Sequence, residues 1–197
     1  MNINMKKIIS LTKNKNGLYD VLIDDEILTV DEETVLKYRL FKNNEIDVKD
    51  FDLIRHDDFV YKISNKMLEY RLKYNKSINE IKRHFLSKEI DENIVCQAIE
   101  LLISKKLIND QELALMICTS LARNSNGYYL IKEKLKQRLF NDNIINYALE
   151  NLKIEDINYG KEKLVIKLEK KYLKEEDKIK KYKIKKQLYN HGYKVDE

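Results

Sequence analysis

The segment IKRHFLSKEIDENIVCQAIELL, residues 81–102, is echoed at an offset of 50 by IKEKLKQRLFNDNIINYALENL, residues 131–152. The apolar positions Ile81, Phe85, Ile90, Ile94, Val95, Ala98, Ile99 and Leu102 recur as Ile131, Leu135, Phe140, Ile144, Ile145, Ala148, Leu149 and Leu152. Their spacing within each copy is that of one helix face. Two further matches are not required by helical periodicity: the capping Asp91 falls on Asn141, and the alanine is kept. A third copy opens as Ile184, Leu188 and Tyr193, at an offset of 53 from the second, and lacks its last helix.

A helical unit of about 45–50 residues buries little alone and gains by stacking on its neighbours. The repeat therefore predicts a mainly α protein, an elongated tandem array of three three-helix modules with the third truncated. Their expected spans are 60–108, 109–154 and 155–197. Local signals place the helix starts. Ser77-Ile78-Asn79-Glu80 is a capping box, in which the Ser hydroxyl meets the Glu80 amide and the Glu side chain reaches back. Asn109 or Asp110 caps a helix to about Arg123, and Gly127 breaks the chain before the next.

The stretch 1–58 reads differently, as a small β-rich head. Lys7–Thr12, Leu18–Ile23 and Glu26–Val30 hold β-favouring residues. Asn16-Gly17 and Asp24-Asp25 supply the turns between them. Asp31 is expected to cap a helix through Leu40, and Asp47 to start a short helix carrying Val48, Phe51 and Ile54.

Composition agrees with a helical body. Pro is absent and Gly occurs four times in 197 residues, so little interrupts a helix. Two cysteines, Cys96 and Cys118, make no disulfide framework, and a reducing cytoplasm is expected. No apolar run reaches the length of a membrane span. Met1–Ser10 lacks a long apolar run and a cleavage site, and reads as mature protein.

Charge is unevenly spread. Residues 1–60 carry 9 basic and 13 acidic side chains, while 62–139 carry 15 and 9, and 161–190 carry 12 and 5. An acidic head on a basic body suits an acidic partner such as nucleic acid or a nucleoprotein. A solvated lysine-rich surface is the alternative reading.

No phosphate-loop, dinucleotide-binding, C-x-x-C or H-E-x-x-H motif occurs. His56, His84 and His191 lie far apart in sequence, and both cysteines sit beside apolar residues, the usual setting of an inert thiol. An enzyme is not expected. Tyr70, Tyr74, Tyr128, Tyr147 and Tyr182 are expected to pack between helices with their hydroxyls at the rim, rather than to stack on bases. The cations are more ordered. Lys82, Lys132 and Lys185 each follow the first isoleucine of a repeat copy. Arg83 and Lys186 follow in two copies, and Lys136 and Arg138 extend the second. Equivalent places in stacked modules would present a row of cations to a phosphate backbone or a protein–DNA filament.

These residues resemble the bacterial RecX regulators of the recombinase RecA. Ser77-x-x-Glu80-Ile81, then Phe85, Ile90 and the Ile94–Leu102 face, looks like that family's R-x-S-x-x-E-L…L…G-[IF] unit. It departs from it at Lys76, where Pro or Arg is frequent, and at Glu89, where Gly is usual. Leu107-Ile108-Asn109-Asp110-x-x-Leu113-Ala114 looks like the L-[IL]-[ND]-D-x-x-[FY]-A junction, with Leu113 in place of the aromatic. Gly127-x-x-x-Ile131-x-x-x-Leu135 is similar to the second-module helix, and His191-Gly192-Tyr193 resembles the closing R-G-[FY]. The strand-rich head resembles the extension on many Gram-positive members.

The resemblance implies three modules lying in the groove of a RecA filament on single-stranded DNA, and modulation of the recombinase. That modulation is usually inhibition of strand exchange, ATP hydrolysis and co-protease activity. It implies no cofactor. The expected partners are the RecA nucleoprotein filament and, weakly and salt-dependently, single-stranded DNA. A cytoplasmic monomer without membrane contact is expected. A three-helix unit also suits a helix-turn-helix transcription factor. Against that reading, no helix concentrates Arg, Asn and Gln for base reading. A helical scaffold with no nucleic-acid role is a third reading.

Overall fold

The computed structural model describes residues 5–194 and is mainly helical, with a small sheet at its start. Two compact units form, one from Met1–Met67 with Ile90–Leu101 and the other from Leu68–Glu89 with Leu102–Glu197. Among the described residues no helix is long and apolar enough to cross a membrane.

In the first unit, β1 (Met5–Lys13), β2 (Tyr19–Ile23), β3 (Glu26–Val30) and β4 (Glu45–Asp47) form an antiparallel sheet in the order β3-β2-β1-β4. The Asn16-Gly17 signal marks the β1–β2 turn, but Asn14 organises it. The Asn14 side-chain oxygen accepts from the amides of Asn16 at 3.0 Å and Leu18 at 3.2 Å, and Gly17 supplies a φ of +81°. Asp24-Asp25 is the tight turn expected from sequence, with Ile23 paired to Glu26 across it. Asp31 caps α1 (Glu32–Lys37), which stops short of the expected Leu40. The inner faces bury Ile8, Val21, Ile23, Leu28, Val35, Leu40, Ile46, Phe51 and Ile54.

The helix after Asp47 is not short. It is α2 (Val48–Tyr74), 27 residues long, and it runs without a break through the expected head boundary at 58–60. Its buried stripe includes three polar residues, Asp58, Ser64 and Arg71, beside Phe51, Ile54, Val60, Ile63 and Met67. Those polar members interrupt the apolar period. Each has a partner: Asp58 accepts from the Thr29 amide at 2.9 Å on the outer edge of β3, and Ser64 donates to the Tyr61 carbonyl at 2.8 Å. Strand β4 is an addition to the expected head, because three residues are too few to show an alternation.

Beyond α2 the elements are α3 (Ile78–Leu86), α4 (Glu92–Ser104), α5 (Asp110–Arg123), α6 (Tyr128–Gln137), α7 (Asp142–Glu150), α8 (Ile154–Lys171) and α9 (Asp177–Asn190). Side-chain caps mark the starts of α3, α5 and α7. Ser77 accepts from the Glu80 amide in a complete capping box, and Asn109 and Asn141 cap α5 and α7. The repeat is visible in burial: Ile81 and Ile131 are both 0% exposed, and Phe85, Leu135 and Leu188 are all buried. Leu149 departs from it, being half-buried where Ile99 is buried.

In the second unit α5 packs on α6, α7 and α8, and α8 packs on α9. The core holds Leu113, Ala114, Cys118, Ala122, Ile131, Leu135, Phe140, Ile145 and Ala148, and continues into α8 through Ile157, Leu164 and Leu168. The α5–α8 crossing is tight because Gly160 lets the backbones meet. A Cβ there would lie 1.9 Å from the Ala122 carbonyl oxygen. That oxygen belongs to backbone and cannot swing away. Gly160→Ala should therefore cost ~1–3 kcal/mol in urea denaturation, and an unchanged midpoint would show that the crossing opens freely.

Candidate partner-binding face

The second helices of the three copies, α3, α6 and α9, are tied together by one joint made twice. At the first joint the Ser77 hydroxyl donates to the Arg138 carbonyl at 2.7 Å, and the Asn79 side-chain amide donates to the Leu139 carbonyl at 2.8 Å. At the second, the Gly127 amide donates to the His191 carbonyl at 2.7 Å, and the Tyr129 amide donates to the Gly192 carbonyl at 3.2 Å. Residues 77 and 79 become 127 and 129 at the repeat offset of 50, and 138 and 139 become 191 and 192 at the offset of 53.

A third contact follows the same rule. The Arg138 guanidinium donates to the Asn75 carbonyl, and His191 Nδ1 meets the Ser125 carbonyl at 2.9 Å. Asn75 and Ser125 hold left-handed backbone, with φ of +49° and +63°. The accepting turns match as well. Glu89, Leu139 and Gly192 have φ of +61°, +59° and +80°, each directly before the apolar residue Ile90, Phe140 or Tyr193. Only the third copy uses glycine there, and it also needs the small residue, since a Cβ on Gly192 would lie 2.4 Å from the Leu130 nitrogen.

Ion pairs to buried carboxylates brace the starts of the long helices. Asp110, at the start of α5, accepts from Arg71 at 2.7 Å and from the Ile78 amide at 3.0 Å. Arg71 also donates to the carbonyls of Lys76 at 3.0 Å and Asn109 at 2.8 Å, so its fork is well satisfied. Asp156, at the start of α8, accepts from Arg123 at 2.6 Å. The two pairs have a similar arrangement, an Arg near the end of one helix with an Asp in the first turn of a later long helix. Burial opposes the charge on Glu80. Hydrogen bonds from Lys76 and the Ser77 amide, with the charge of Arg138, outweigh it and hold the carboxyl below its ordinary value.

The expected cations fall in two groups. Lys82 and Lys132 are half-buried on α3 and α6, Lys185 is exposed on α9, and each follows a repeat isoleucine. Arg83, Lys136 and Lys186 stand exposed at the surface, and Lys136 lies 3.9 Å from Glu133, which interrupts the series. Arg138 is engaged within the chain: besides Asn75, it lies 3.6 Å from Glu80 and over the Phe140 ring. It joins modules.

The tyrosines correct an expectation. Tyr70 packs on His84, ring on ring at 4.1 Å, and on Phe85. Tyr74, Tyr128, Tyr147 and Tyr182 are exposed instead, Tyr182 by 67%. The second-unit core does not cover them. The histidines have three separate settings, His56 against Gln97 at 2.7 Å, His84 on Tyr70, and His191 at the joint. Burial pushes the Cys118 thiol up to about 12, which keeps it protonated and unreactive.

The joint and the two Arg–Asp pairs lie outside the expectations from sequence. A signal for the joint is present all the same: the offset that carries Ile131 to Ile184 also carries Arg138 to His191 and Leu139 to Gly192.

The fold and these joints define a tandem array of helical modules that follows a β-rich head in the chain. No protein-family model matches the chain. Over 191 residues it is 31% identical to "Regulatory protein RecX" of Clostridioides difficile, covering 95% of this chain and 89% of that one. It is 29% identical to the Bacillus subtilis protein of the same name, over 95% of this chain and 72% of that one. A crystal structure described as that of regulatory protein RecX shares the fold, with a TM-score of 0.72 at 24% identity, over 96% of this chain and 95% of that chain. The chain belongs to the RecX family of regulatory proteins.

The two ion pairs should differ in worth. Arg71→Ala would leave Asp110 buried and unpaired and should cost ~3–5 kcal/mol. Arg123 has its side chain 61% exposed, so Arg123→Ala should cost under ~1 kcal/mol. Chemical denaturation of the two variants compares them, and equal costs would contradict the ranking.

Proposed function

We propose that this protein regulates the recombinase RecA by binding its nucleoprotein filament on single-stranded DNA. In this reading it inhibits strand exchange, ATP hydrolysis and co-protease activity, and performs no catalysis of its own. It acts as a cytoplasmic monomer, and its working parts are the head at 1–58 and the modules at 60–108, 109–154 and 155–197. Membership of the RecX family supports the partner.

One observation carries the binding mode. Helices α3, α6 and α9 are tied by a repeated joint, and each bears a lysine one residue after its first repeat isoleucine. A joint repeated with matching partners supports equivalent places for Lys82, Lys132 and Lys185 on successive modules. A periodic row of cations suits a periodic polyanion. Arg83, Lys136 and Lys186 extend that row, and Arg138 supports it by holding the first joint. Weak, salt-dependent contact with single-stranded DNA follows from the same charges.

Replacing Lys82, Lys132 and Lys185 together by Glu should weaken inhibition of the recombinase ATPase by about tenfold or more. It should also flatten its salt dependence, by ~0.7 in the log–log slope for each phosphate of a single strand that is no longer neutralised. Thermal melting should hardly change. A folded triple variant that inhibits as well as the parent would show that the three lysines are ordinary surface.

A further inference from the structure

The two joints leave two clefts at equivalent places. One, of about 560 Å³, is lined by Asn79, Lys136, Leu139 and Phe140 among others. The other, of about 500 Å³, is lined by Tyr129, Tyr189, Gly192 and Tyr193, the repeat counterparts of those four residues, and by Lys194 and Glu133. The same architecture thus places Asn79 and Lys136 at the first joint where the second has two tyrosines, Tyr129 and Tyr189. Tyr129 and Tyr189 are 65% and 73% exposed, a large apolar surface for two side chains that α6 and α9 hold in place. Tyr193, 4% exposed, lies in the lining too, and among the described residues its hydroxyl is the one buried side-chain polar atom without a hydrogen-bond partner. A buried donor left unpaired is costly. Burial pushes that phenol up to about 12, so it keeps its proton at neutral pH.

The surrounding charge selects among aromatic-binding occupants. Residues 161–190 carry 12 basic against 5 acidic side chains, and exposed Lys194 stands in the cleft lining. A flat ring attached to phosphates fits both features, because every base has a face to stack and a charge beside it. We infer that the cleft takes one unstacked base of single-stranded DNA, stacked against Tyr129 and Tyr189 with the flanking phosphate toward Lys194 and away from Glu133. The inference rests on the proposed contact with single-stranded DNA and gives that contact a base-holding site apart from the lysine row. Because stacking is blind to the hydrogen-bonding edge, the site holds thymine and adenine alike.

The test compares a fluorescently labelled oligothymidylate with an abasic strand of the same length, which keeps the phosphates and lacks the bases. Anisotropy should show the protein binding the base-bearing strand about tenfold more tightly. Tyr189→Ala and Tyr129→Ala should each remove most of that preference and leave abasic binding unchanged, while Tyr189→Phe keeps it. Lys185→Ala should weaken both strands together. Melting curves confirm folding. Binding without preference for bases, or a preference that survives both alanine variants, overturns the cleft and leaves the lysine row standing. Failure of the unaltered protein to bind either strand overturns the cleft together with the proposed DNA contact.

Discussion

A helix begins with amide groups that have no partner inside the helix, and it ends with carbonyls in the same state. In this protein the two deficits cancel directly at one joint, and side chains stand in for the amides at the other. The carbonyls left over where α9 ends accept from the first amides of α6, and those left over where α6 ends accept from the Ser77 and Asn79 side chains at the start of α3. The accepting turn must curl back to aim its carbonyls, and it does so through a left-handed residue at 139 and 192. For Leu139 that backbone costs about 1–2 kcal/mol relative to its ordinary conformation, so the joint and the burial of Phe140 behind it must offset the cost. The small residue at 192 and the open backbone at 127 follow from the same close approach, since a Cβ on Gly127 would lie 2.3 Å from the Gly192 oxygen.

The face of the molecule that carries the cations depends on this joint. Helices α3, α6 and α9, of nine to fourteen residues, all bear basic side chains and would repel one another if nothing fixed them. The joint places neutral hydrogen bonds and the Arg138–Glu80 contact at the helix ends and leaves Lys82, Lys132 and Lys185 along the lengths. Arg71–Asp110 takes up charge inside the array, where it would be costly unpaired, while Arg123 meets the buried Asp156 from the surface. The acidic head has its own core of sheet and α2 residues.

The parts of this fold that can be read from sequence are those with a local cause. Caps at Asp31, Ser77, Asn109 and Asn141 act over three residues and mark helix starts in sequence as they do in space. The repeat is legible because burial is periodic, and Ile81 and Ile131 are fully enclosed in both copies. The length of α2 is hidden because Asp58, Ser64 and Arg71 sit in its buried stripe. The partners of Asp58 and Arg71, a strand edge and a distant helix start, cannot be seen in the local pattern. The tyrosines depart from expectation for a different reason. Tyr182 sits on α9 among Lys178, Lys185 and Lys186, and the second-unit core does not extend to cover it. In the candidate row, Lys82, Lys132 and Lys185 are identified by offset alone, and the same offset applied to Arg138 assigns it to the joint with its counterpart His191.

The most direct measurement is native-state hydrogen exchange at the Gly127 and Tyr129 amides. Amides at a helix start have no intrahelical acceptor and ordinarily exchange fast. Here they donate to the His191 and Gly192 carbonyls. Exchange at both as slow as at core amides of α5 is the expected result. Fast exchange at both, with the α5 core still protected, would contradict a joint that ties the third copy to the second.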